Sequence, residues 1–441
     1  MSRRVAIIGG GISGLTTAYL VKRSGLETTV FEATNRLGGN IQTVSRDGYT
    51  FEAGPNSLLR SPRLVDLIRL LKLDDRVIAS DEAAKKRYVL FDGKLEPIGL
   101  RSFINGYFSL ATIAALIREP FNRSRSPEGE SVADFISRRF GREVVEKALD
   151  PFVSGIYAGD PHNLSIRAAF PKLFEMERDY GSLIMAALRR KVKKSHADFP
   201  RTFSFQGGLK TLISSLSNEL CDQIKLSSRI EKIEKAGDLY LVNGETFSSV
   251  VISTTAFVAA NLIRGLDDRL AGLLSEVSYP QIAVVVFGFR SESFKVKPDG
   301  FGFLIASSER RPILGTVFHS VVFPERAPNG HELLVTFVGG VRSGESLDTK
   351  TDDDLEKMVR TELSEILGVS GEPDLVYIKR WRKAIPQYSL GYEKLIDACT
   401  EFEKNHRGLY FCSNFYRGIS VGDCVANAFE TANKIERNLK K

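Results

Sequence analysis

Near its N-terminus the chain reads Val5-Ala6-Ile7-Ile8-Gly9-Gly10-Gly11-Ile12-Ser13-Gly14. The four apolar residues that open this stretch are typical of a buried strand in a parallel sheet. The glycines after them fit the spacing G-x-G-x-x-G, and residues 15–24 then predict a helix that Gly25 ends. Residues 28–31 predict a second strand, and Glu32 follows it directly. The stretch therefore predicts the strand–helix–strand unit of an α/β dinucleotide-binding fold.

Each glycine of this motif has a physical purpose. Gly9 permits the tight turn from strand to helix, Gly11 lets the backbone approach a pyrophosphate, and Gly14 lets the helix pack against the sheet. The helix N-terminus supplies amide donors and a positive dipole to the anion. Glu32 lies 18 residues after Gly14, where its carboxylate can accept hydrogen bonds from ribose hydroxyls. The residues predicted here to bind the cofactor are Gly9, Gly10, Gly11, Ile12, Ser13, Gly14, Glu32 and Ala33.

A second glycine pair decides which dinucleotide is expected. Gly38 and Gly39 follow Glu32 within a few residues, and a glycine-containing segment at 47–57 comes next. Such a pair can pass its backbone against the ribityl and pyrophosphate part of a cofactor longer than NAD; the alternative is an ordinary glycine hairpin. We therefore predict FAD, with further contacts from Arg36, Gly38, Gly39, Asn40, Gly54, Pro55, Asn56 and Ser57.

Composition limits the remaining function classes. The 441 residues are 43% hydrophobic and 26% charged, which is ordinary for a globular protein and excludes a disordered or collagen-like chain. The length predicts about three domains or subdomains. No apolar run approaches the roughly 18 residues of a membrane-spanning helix. The four cysteines show no C-x-x-C spacing, so we expect reduced thiols and a cytoplasmic protein.

The sequence offers no chemistry of its own beyond the cofactor. The five histidines stand apart from one another, without an H-E-x-x-H motif or a cysteine cluster, so no metal site is predicted. A nucleophile elbow and nucleic-acid-binding signatures are also absent. No catalytic residue is predicted, and no nucleic-acid partner. The reaction is expected to belong largely to the flavin, with the protein supplying orientation and a dry pocket.

Four further segments carry a resemblance to a known family. They are residues 150–160, 203–209, 381–388 and 417–422. With the N-terminal motif, they resemble the protoporphyrinogen oxidase family and its bacterial FAD-dependent coproporphyrinogen III oxidases, within the superfamily that includes amine oxidases and carotenoid desaturases. The resemblance covers essentially the whole chain. The dipeptide Ser413-Asn414 departs from it, because these families more often carry Gly-Asn or Gly-Asp there.

The resemblance implies an α/β fold with a discontinuous Rossmann-type FAD-binding domain, an antiparallel-sheet substrate domain and a helical subdomain associated with membrane docking. Strand-like runs at 248–253 and 408–412 support the late return to the parallel sheet. The predicted division is 1–79, 201–264 and 379–441 for the FAD-binding domain, 80–200 for the helical substrate or membrane-docking subdomain, and 265–378 for the substrate-binding sheet.

The resemblance also implies the reaction and its site. The expected activity is FAD-dependent six-electron oxidation of protoporphyrinogen IX to protoporphyrin IX, with O2 reduced to H2O2, in porphyrin and haem biosynthesis. By the same resemblance, Arg87 pairs with a substrate propionate, and Phe303, Val317 and Phe337 line the substrate pocket. The remaining flavin contacts that it implies are Ile230, Trp381, Asn414, Gly418, Ile419, Ser420 and Val421.

Other readings stay open on the sequence alone. Oxidation of coproporphyrinogen III would proceed by the same mechanism. A flavin amine oxidase or a carotenoid desaturase shares the fold, and so does a flavin-free carrier of prenylated small GTPases. A visible spectrum distinguishes the carrier from the enzymes, because only the enzymes retain flavin. A homodimer is also compatible with the sequence.

One apolar segment bears on membrane association. Residues 106–117 are strongly apolar but short, and Arg101, Arg118, Arg123 and Arg125 surround them. A second basic cluster comprises Arg189, Arg190, Lys191, Lys193, Lys194 and Arg201. An apolar face with a basic rim suits peripheral docking on an anionic, cytoplasmic membrane surface. The alternative is a buried helix beside a solvated run of charges.

Overall fold

The computed structural model describes residues 4–99, 102, 105–189, 196–344 and 346–439. Of the basic residues named above, Arg101, Arg190, Lys191, Lys193 and Lys194 lie outside these ranges. Within them, no helix is both long and apolar enough to cross a bilayer.

The regular elements have the following bounds. The strands are β1 Arg4–Ile8, β2 Glu27–Phe31, β3 Thr43–Arg46, β4 Tyr49–Glu52, β5 Leu58–Leu59, β6 Val77–Ala79, β7 Tyr88–Phe91, β8 Lys94–Pro97, β9 Thr202–Phe205, β10 Ile224–Lys225, β11 Glu234–Ala236, β12 Leu239–Val242, β13 Glu245–Phe247, β14 Ser249–Ile252, β15 Ile282–Arg290, β16 Gly302–Ile305, β17 Ile313–Phe318, β18 His331–Gly339, β19 Leu375–Trp381 and β20 Leu409–Phe411. The helices are α1 Ile12–Arg23, α2 Pro62–Leu70, α3 Leu110–Arg118, α4 Val132–Phe140, α5 Arg142–Val144, α6 Asp150–Tyr157, α7 Ile166–Ala169, α8 Pro171–Tyr180, α9 Leu183–Arg189, α10 Lys210–Leu220, α11 Ala256–Ile263, α12 Asp268–Ser275, α13 His319–Val322, α14 Asp352–Leu367, α15 Glu393–Asn405 and α16 Val421–Leu439.

A five-stranded parallel sheet forms the first layer of the fold, in the order β10-β2-β1-β14-β20. Its central strands are buried on both faces, which explains their continuous apolar sequence. Val5 and Ile7 of β1 pack in one core cluster with α1, α2, α10 and α16. Ala6 and Ile8 point the other way, into a second cluster with α11, α12 and α15. The sheet thus gathers strands from distant parts of the chain around β1.

A seven-stranded sheet forms the second layer, in the order β19-β15-β18-β17-β16-β7-β8. Its pairs are antiparallel except for β16 with β7. One face packs beneath α14, and the other meets Tyr49 and Phe51 of β4. The predicted fold class is therefore confirmed as a mixed α/β fold with parallel and antiparallel sheets. The boundaries of the five predicted segments stay a prediction. Two strands of the predicted helical segment 80–200, β7 and β8, extend the seven-stranded sheet.

The helices between β8 and β9 are held together by a buried ionic network. The Arg139 side chain is fully buried and donates to the carboxylates of Glu119 and Glu177, each at 2.7 Å. Burial alone would raise the pKa of Glu119, but hydrogen bonds from Ser182, from two main-chain amides and from Arg139 outweigh it and lower the pKa. Arg138 joins Glu177 to Glu130 at the rim of the network. The network ties α4 and α8 to the end of α3.

Candidate cofactor and substrate site

Two glycines of the motif at the end of β1 are required by close contacts within the protein itself. Gly9 has φ +111°, and a Cβ there would lie 2.4 Å from the carbonyl oxygen of Ser253. A Cβ on Gly14 would lie 2.0 Å from the carbonyl oxygen of Gly9. Neither position can hold a side chain unless the backbone moves, because real Cβ atoms do not approach backbone oxygens so closely. These two glycines let α1 start directly against the strand end.

Gly11 is different, because among the described residues no atom crowds the position of a Cβ there. Its φ of −77° is open to any residue, and the nearest atom to a Cβ there would be the Cα of Gly39, 4.0 Å away. The Gly38 amide donates to the Gly10 carbonyl oxygen at 2.8 Å, so the two glycine loops lie side by side. The first turn of α1 has neither an acidic residue nor a side-chain cap. This bare cradle of backbone and free amides fits a pyrophosphate.

Glu32 is held in a defined position at the end of β2. One carboxylate oxygen accepts from the Gly10 amide at 2.8 Å, and the other accepts from the Thr34 amide and hydroxyl at 2.8 and 2.7 Å. The oxygen that accepts only from Gly10 retains a lone pair for a ribose hydroxyl, whereas the other already accepts two hydrogen bonds. The segment that contains Ile230 runs beside it, since the Ser228 amide donates to the main-chain oxygen of Glu32 at 2.8 Å.

Glu32→Ala is expected to weaken FAD binding by about 1–3 kcal/mol, the scale of losing a hydrogen-bonded charged partner. The dissociation constant would rise roughly 5- to 150-fold. Calorimetric titration of the apoprotein with FAD measures it. Glu27→Ala is the matched control, because Glu27 is exposed on the same strand and pairs only with Arg4 in the described part of the chain. An unchanged affinity in the Glu32 variant would remove this carboxylate from the ribose site.

The second glycine loop is organised by Arg36. Its guanidinium donates to the carbonyl oxygens of Gly39 at 2.7 Å and Ile41 at 3.2 Å, which closes the turn around Gly38. Asn40 reaches across to the Ala384 carbonyl oxygen at 3.3 Å. The Trp381 indole donates to the Ala53 carbonyl oxygen at 2.6 Å, just before the predicted contacts Gly54, Pro55, Asn56 and Ser57. Distant segments of the sequence therefore meet at this loop.

A tyrosine that sequence reasoning did not select fixes the loop before α16. The Tyr388 hydroxyl donates to the Asn414 carbonyl oxygen at 2.6 Å and accepts from the Gly418 amide at 2.8 Å. Burial, as the largest cause, raises its pKa well above the usual range, so the hydroxyl stays protonated. Ser420 caps the helix by accepting from the Asp423 amide at 3.0 Å. Tyr388 closes the quoted segment 381–388, which is the signal that could have identified it.

The predicted pocket residues do not share one face of the seven-stranded sheet. Phe337 and Val317 lie on the face toward β4, with Phe337 beside Val284 in the strand register. Phe303 is paired with Thr316, the neighbour of Val317, and therefore lies on the opposite face of the sheet from Val317. Its ring is 5.9 Å from that of Phe318 in the core beneath α14. The structure brings Val317 and Phe337 to the face toward the cofactor loops, and it places Phe303 on the other.

The apolar face ends near Arg87. The Arg87 guanidinium lies 4.9 Å from the ring centroid of Phe301, and Phe301 packs in the same small cluster as Val317. Partial burial, followed by the charge of Arg201, lowers the pKa of Arg87. On α6, Gly155 is in close contact with the site face, because a Cβ there would lie 2.5 Å from a methyl of Leu304.

Behind the site lies a group of buried polar residues that the sequence did not reveal. Glu52 accepts from the Leu209 amide at 2.9 Å and from the Thr43 hydroxyl at 2.7 Å. Arg326 donates to the Ser204 hydroxyl at 2.8 Å and to a neighbouring carbonyl oxygen. No hydrogen bond of normal geometry reaches either ring nitrogen of the fully buried His319 within the described ranges. These residues join the cofactor-side segments to the substrate sheet.

The burial of His319 predicts a pH-dependent stability. Burial, then the charge of Arg326, lowers its pKa to about 3, whereas an unfolded histidine titrates near 6.5. Below about pH 6.5 the unfolded chain therefore binds a proton that the folded chain does not. The free energy of unfolding consequently decreases as the pH is lowered. The loss is about 2 kcal/mol between pH 7 and pH 5.

Urea unfolding of wild type and His319→Phe at pH 7 and pH 5 tests this expectation. The variant should lose the histidine's share of the pH dependence, whatever its stability at pH 7. His162→Gln, at an exposed histidine, is the control and should keep the wild-type difference. An identical pH difference in His319→Phe would show that this ring is protonated in the folded protein.

Comparison with known proteins agrees with the fold and with a flavin cofactor. The profile of the family described as flavin containing amine oxidoreductase matches residues 12–435. The mitochondrial protoporphyrinogen oxidase of Nicotiana tabacum is 32% identical, across 98% of this chain and 95% of that protein. The coproporphyrinogen III oxidase of Bacillus subtilis is 30% identical, across 96% of each. A crystal structure from Exiguobacterium sp. 255-15 has a TM-score of 0.82 at 26% identity, with 99% of both chains covered.

Proposed function

This chain belongs to the flavin containing amine oxidoreductase family and is an FAD-dependent oxidoreductase, and from that premise we propose that it oxidises a porphyrinogen. The proposed reaction is the six-electron oxidation of protoporphyrinogen IX to protoporphyrin IX, with three O2 reduced to three H2O2. The observation that carries the proposal is an apolar sheet face, bearing Val317 and Phe337, that ends beside the guanidinium of Arg87.

This arrangement suits the chemistry of the substrate. Bound FAD would supply the acceptor for each hydride and pass the electrons to O2. The predicted cofactor contacts at 9–14, Glu32, Arg36 and 38–40 would hold it, and the sheet face would bind the apolar macrocycle. Arg87 would pair with a propionate at the mouth. Tautomerism of the macrocycle and the aromaticity of the product favour the reaction, so the protein's task is to bind, orient and exclude water.

Coproporphyrinogen III is the second candidate substrate. Both substrates present the same macrocycle, but coproporphyrinogen III carries four propionates where protoporphyrinogen IX carries two propionates and two vinyl groups. The Bacillus subtilis relative, named for this substrate, matches this chain along nearly its whole length. A specific preference for the tetra-acid would therefore assign the enzyme to the coproporphyrin branch.

The test is porphyrin fluorescence formed in air by the FAD-loaded protein, with the two porphyrinogens in parallel and boiled protein as the control for autoxidation. Faster porphyrin formation from protoporphyrinogen IX supports the first proposal. Preference for coproporphyrinogen III supports the second. Bound flavin without fluorescence from either would contradict both and favour an amine or polyene substrate. A protein that takes up no FAD would contradict the cofactor assignment itself.

We also propose peripheral association with an anionic membrane surface through α3. Leu110 is 85% exposed, Ile117 is 69% exposed, and Phe121 just after the helix is 83% exposed. Arg118 and Arg123 are exposed beside them. Exposed large apolar side chains with a cationic rim suit the headgroup region of a bilayer. This observation supports docking over the alternative of a buried helix.

Co-sedimentation with lipid vesicles tests the membrane proposal. The protein should sediment with vesicles containing phosphatidylglycerol and much less with pure phosphatidylcholine, and added salt should weaken binding. The triple variant Leu110→Ser, Ile117→Ser, Phe121→Ser should stay in the supernatant while retaining flavin. Equal sedimentation of the variant would contradict docking through α3. The predicted homodimer stays a prediction, which sedimentation equilibrium in the absence of lipid would check.

A further inference from the structure

Helix α6 packs against the face of the seven-stranded sheet that carries Phe337, which we call the site face. Leu304 is in register with Gly315, and Gly315 with Phe337, so these residues share that face. Gly155, in the middle of α6, is so close to the sheet that a Cβ on it would lie 2.5 Å from a Leu304 methyl. Ala158, which follows the helix, belongs to the buried cluster against which Phe337 packs. The helix is therefore one wall of the site.

The loop after β18 holds both ends of this helix. The Val341 amide donates to the Ala158 carbonyl oxygen at 2.8 Å, which fixes the C-terminal end. The Arg342 guanidinium donates to both carboxylate oxygens of Asp150 at the N-terminal end, to one of them at 3.0 Å. The same carboxylate accepts from the Ser307 amide, just after β16, at 2.9 Å. The ion pair of Arg342 with Asp150 thus joins α6 to the ends of two strands of the sheet.

The geometry of this ion pair suits it to fixing the distance between α6 and the sheet. The Asp150 side chain is 9% exposed and that of Arg342 is 19% exposed, so water and salt screen the pair only weakly. A guanidinium that donates to both oxygens of one carboxylate defines orientation as well as distance. Lysine, with a point charge on a flexible stem, would define the distance less well.

The open side of α6 beside the site face is apolar. Phe152 and Ile156 flank Gly155 in the helix, and they are 43% and 40% exposed. Large apolar side chains exposed next to an apolar sheet face suit a large apolar ligand. A macrocycle bound against the site face would also contact this side of α6. The position of the helix therefore limits the width of the site.

We propose that Arg342 is a positioning residue for the oxidation of the porphyrinogen, and that its ion pair with Asp150 sets the width of the site by holding α6 against the sheet. This inference rests on the proposed function, because the macrocycle is the ligand whose fit depends on that width. Arg342 acts through the helix and not through a charge on the ligand. A porphyrin and its uncharged ester therefore depend on Arg342 equally.

The test measures the dissociation constants of protoporphyrin IX and its dimethyl ester with flavin-loaded wild type, Arg342→Met, Asp150→Asn and the double variant. Asparagine keeps an acceptor for the Ser307 amide but removes the ion pair. Each single variant should bind both porphyrins about tenfold more weakly, since interaction energies of paired residues correspond to factors of about 2 to 150. The double variant should bind no more weakly than either single variant, because each substitution breaks the same pair.

Two further variants make the result specific. Arg311→Met is the matched control, because Arg311 pairs with Glu362 of α14 at 2.9 Å on the opposite face of the same sheet. This variant should bind both porphyrins as wild type does. Arg342→Lys keeps the charge without the planar guanidinium and should recover part of the affinity lost in Arg342→Met.

Kinetics with the porphyrinogen complete the test. Arg342→Met should raise KM about tenfold with kcat and flavin content near wild type. Weaker binding of the diacid alone would show that the guanidinium meets a carboxylate directly, and would overturn the inference. Wild-type affinity for both porphyrins, additive losses in the double variant, or an equal loss in Arg311→Met would overturn it as well, while the proposed function stands. If wild type neither binds the porphyrin nor oxidises a porphyrinogen, both proposals fall.

Discussion

Replacing Arg139 by methionine is expected to lower the free energy of unfolding by about 3–5 kcal/mol, the cost of breaking a buried ion pair from one side. The guanidinium is fully buried between Glu119 and Glu177 and also donates to main-chain oxygens at Ser124 and Gly181. Methionine would leave two carboxylates in the interior without their cation. Because burial opposes their charge, their pKa values would rise toward neutrality.

Urea unfolding followed by far-ultraviolet circular dichroism measures this loss. Arg178→Met is the matched control on α8, because Arg178 is exposed and its ion pair with Asp179 contributes little. That variant should stay within about 0.5 kcal/mol of wild type. A loss below about 1 kcal/mol for Arg139→Met would show that the two carboxylates find water or new partners. The helical subdomain would then owe its cohesion to apolar packing alone.

Gly14→Ala is expected to produce a protein that retains little FAD. The added Cβ would lie 2.0 Å from the Gly9 carbonyl oxygen and 3.2 Å from a methyl of Ile7. Overpacking costs about 1–3 kcal/mol even where side chains can shift, and here the obstacle is backbone. The start of α1 would have to move away from β1, which would displace the amides predicted to bind the pyrophosphate. We expect about 100-fold weaker binding of FAD, or about 3 kcal/mol.

The flavin-to-protein absorbance ratio after gel filtration reports this effect. Gly272→Ala is the control, because Gly272 lies in α12 and, outside the helix's own backbone and its two chain neighbours, no described atom lies within 4 Å of its Cβ position. Alanine is the better helix former there, so this variant should keep its flavin and be neutral or slightly stabilised. A Gly14→Ala protein with full flavin occupancy would show that the helix start tolerates displacement and that the cofactor does not depend on it.

Local pattern was sufficient to predict the start of the fold. The apolar run, the glycine spacing and Glu32 predicted a strand, a helix and a second strand, and the structure places these elements at Arg4–Ile8, Ile12–Arg23 and Glu27–Phe31. Strand and helix periods are visible within a single segment, so sequence alone reveals them. The return of the chain to the parallel sheet was also predicted, because β14 and β20 carry the same buried-strand composition.

Site residues could be predicted from the sequence only where a motif within one segment identifies them. Phe303 lies in a strand with apolar residues on both faces, so alternation does not reveal which face meets the cofactor. The buried group of Glu52, His319 and Arg326 forms only when two segments distant in the sequence meet. Their charges look like solvated surface in the sequence.

The order of strands in the parallel sheet has a consequence for the chain as it leaves the ribosome. β1 is made first, yet one of its neighbours, β14, begins only at Ser249, and the sheet is closed by β20 at Leu409–Phe411. Such long sequence separations slow folding and expose unpaired apolar strands for much of synthesis. The nascent chain should therefore need a chaperone, and the cofactor can be enclosed only when translation is nearly finished.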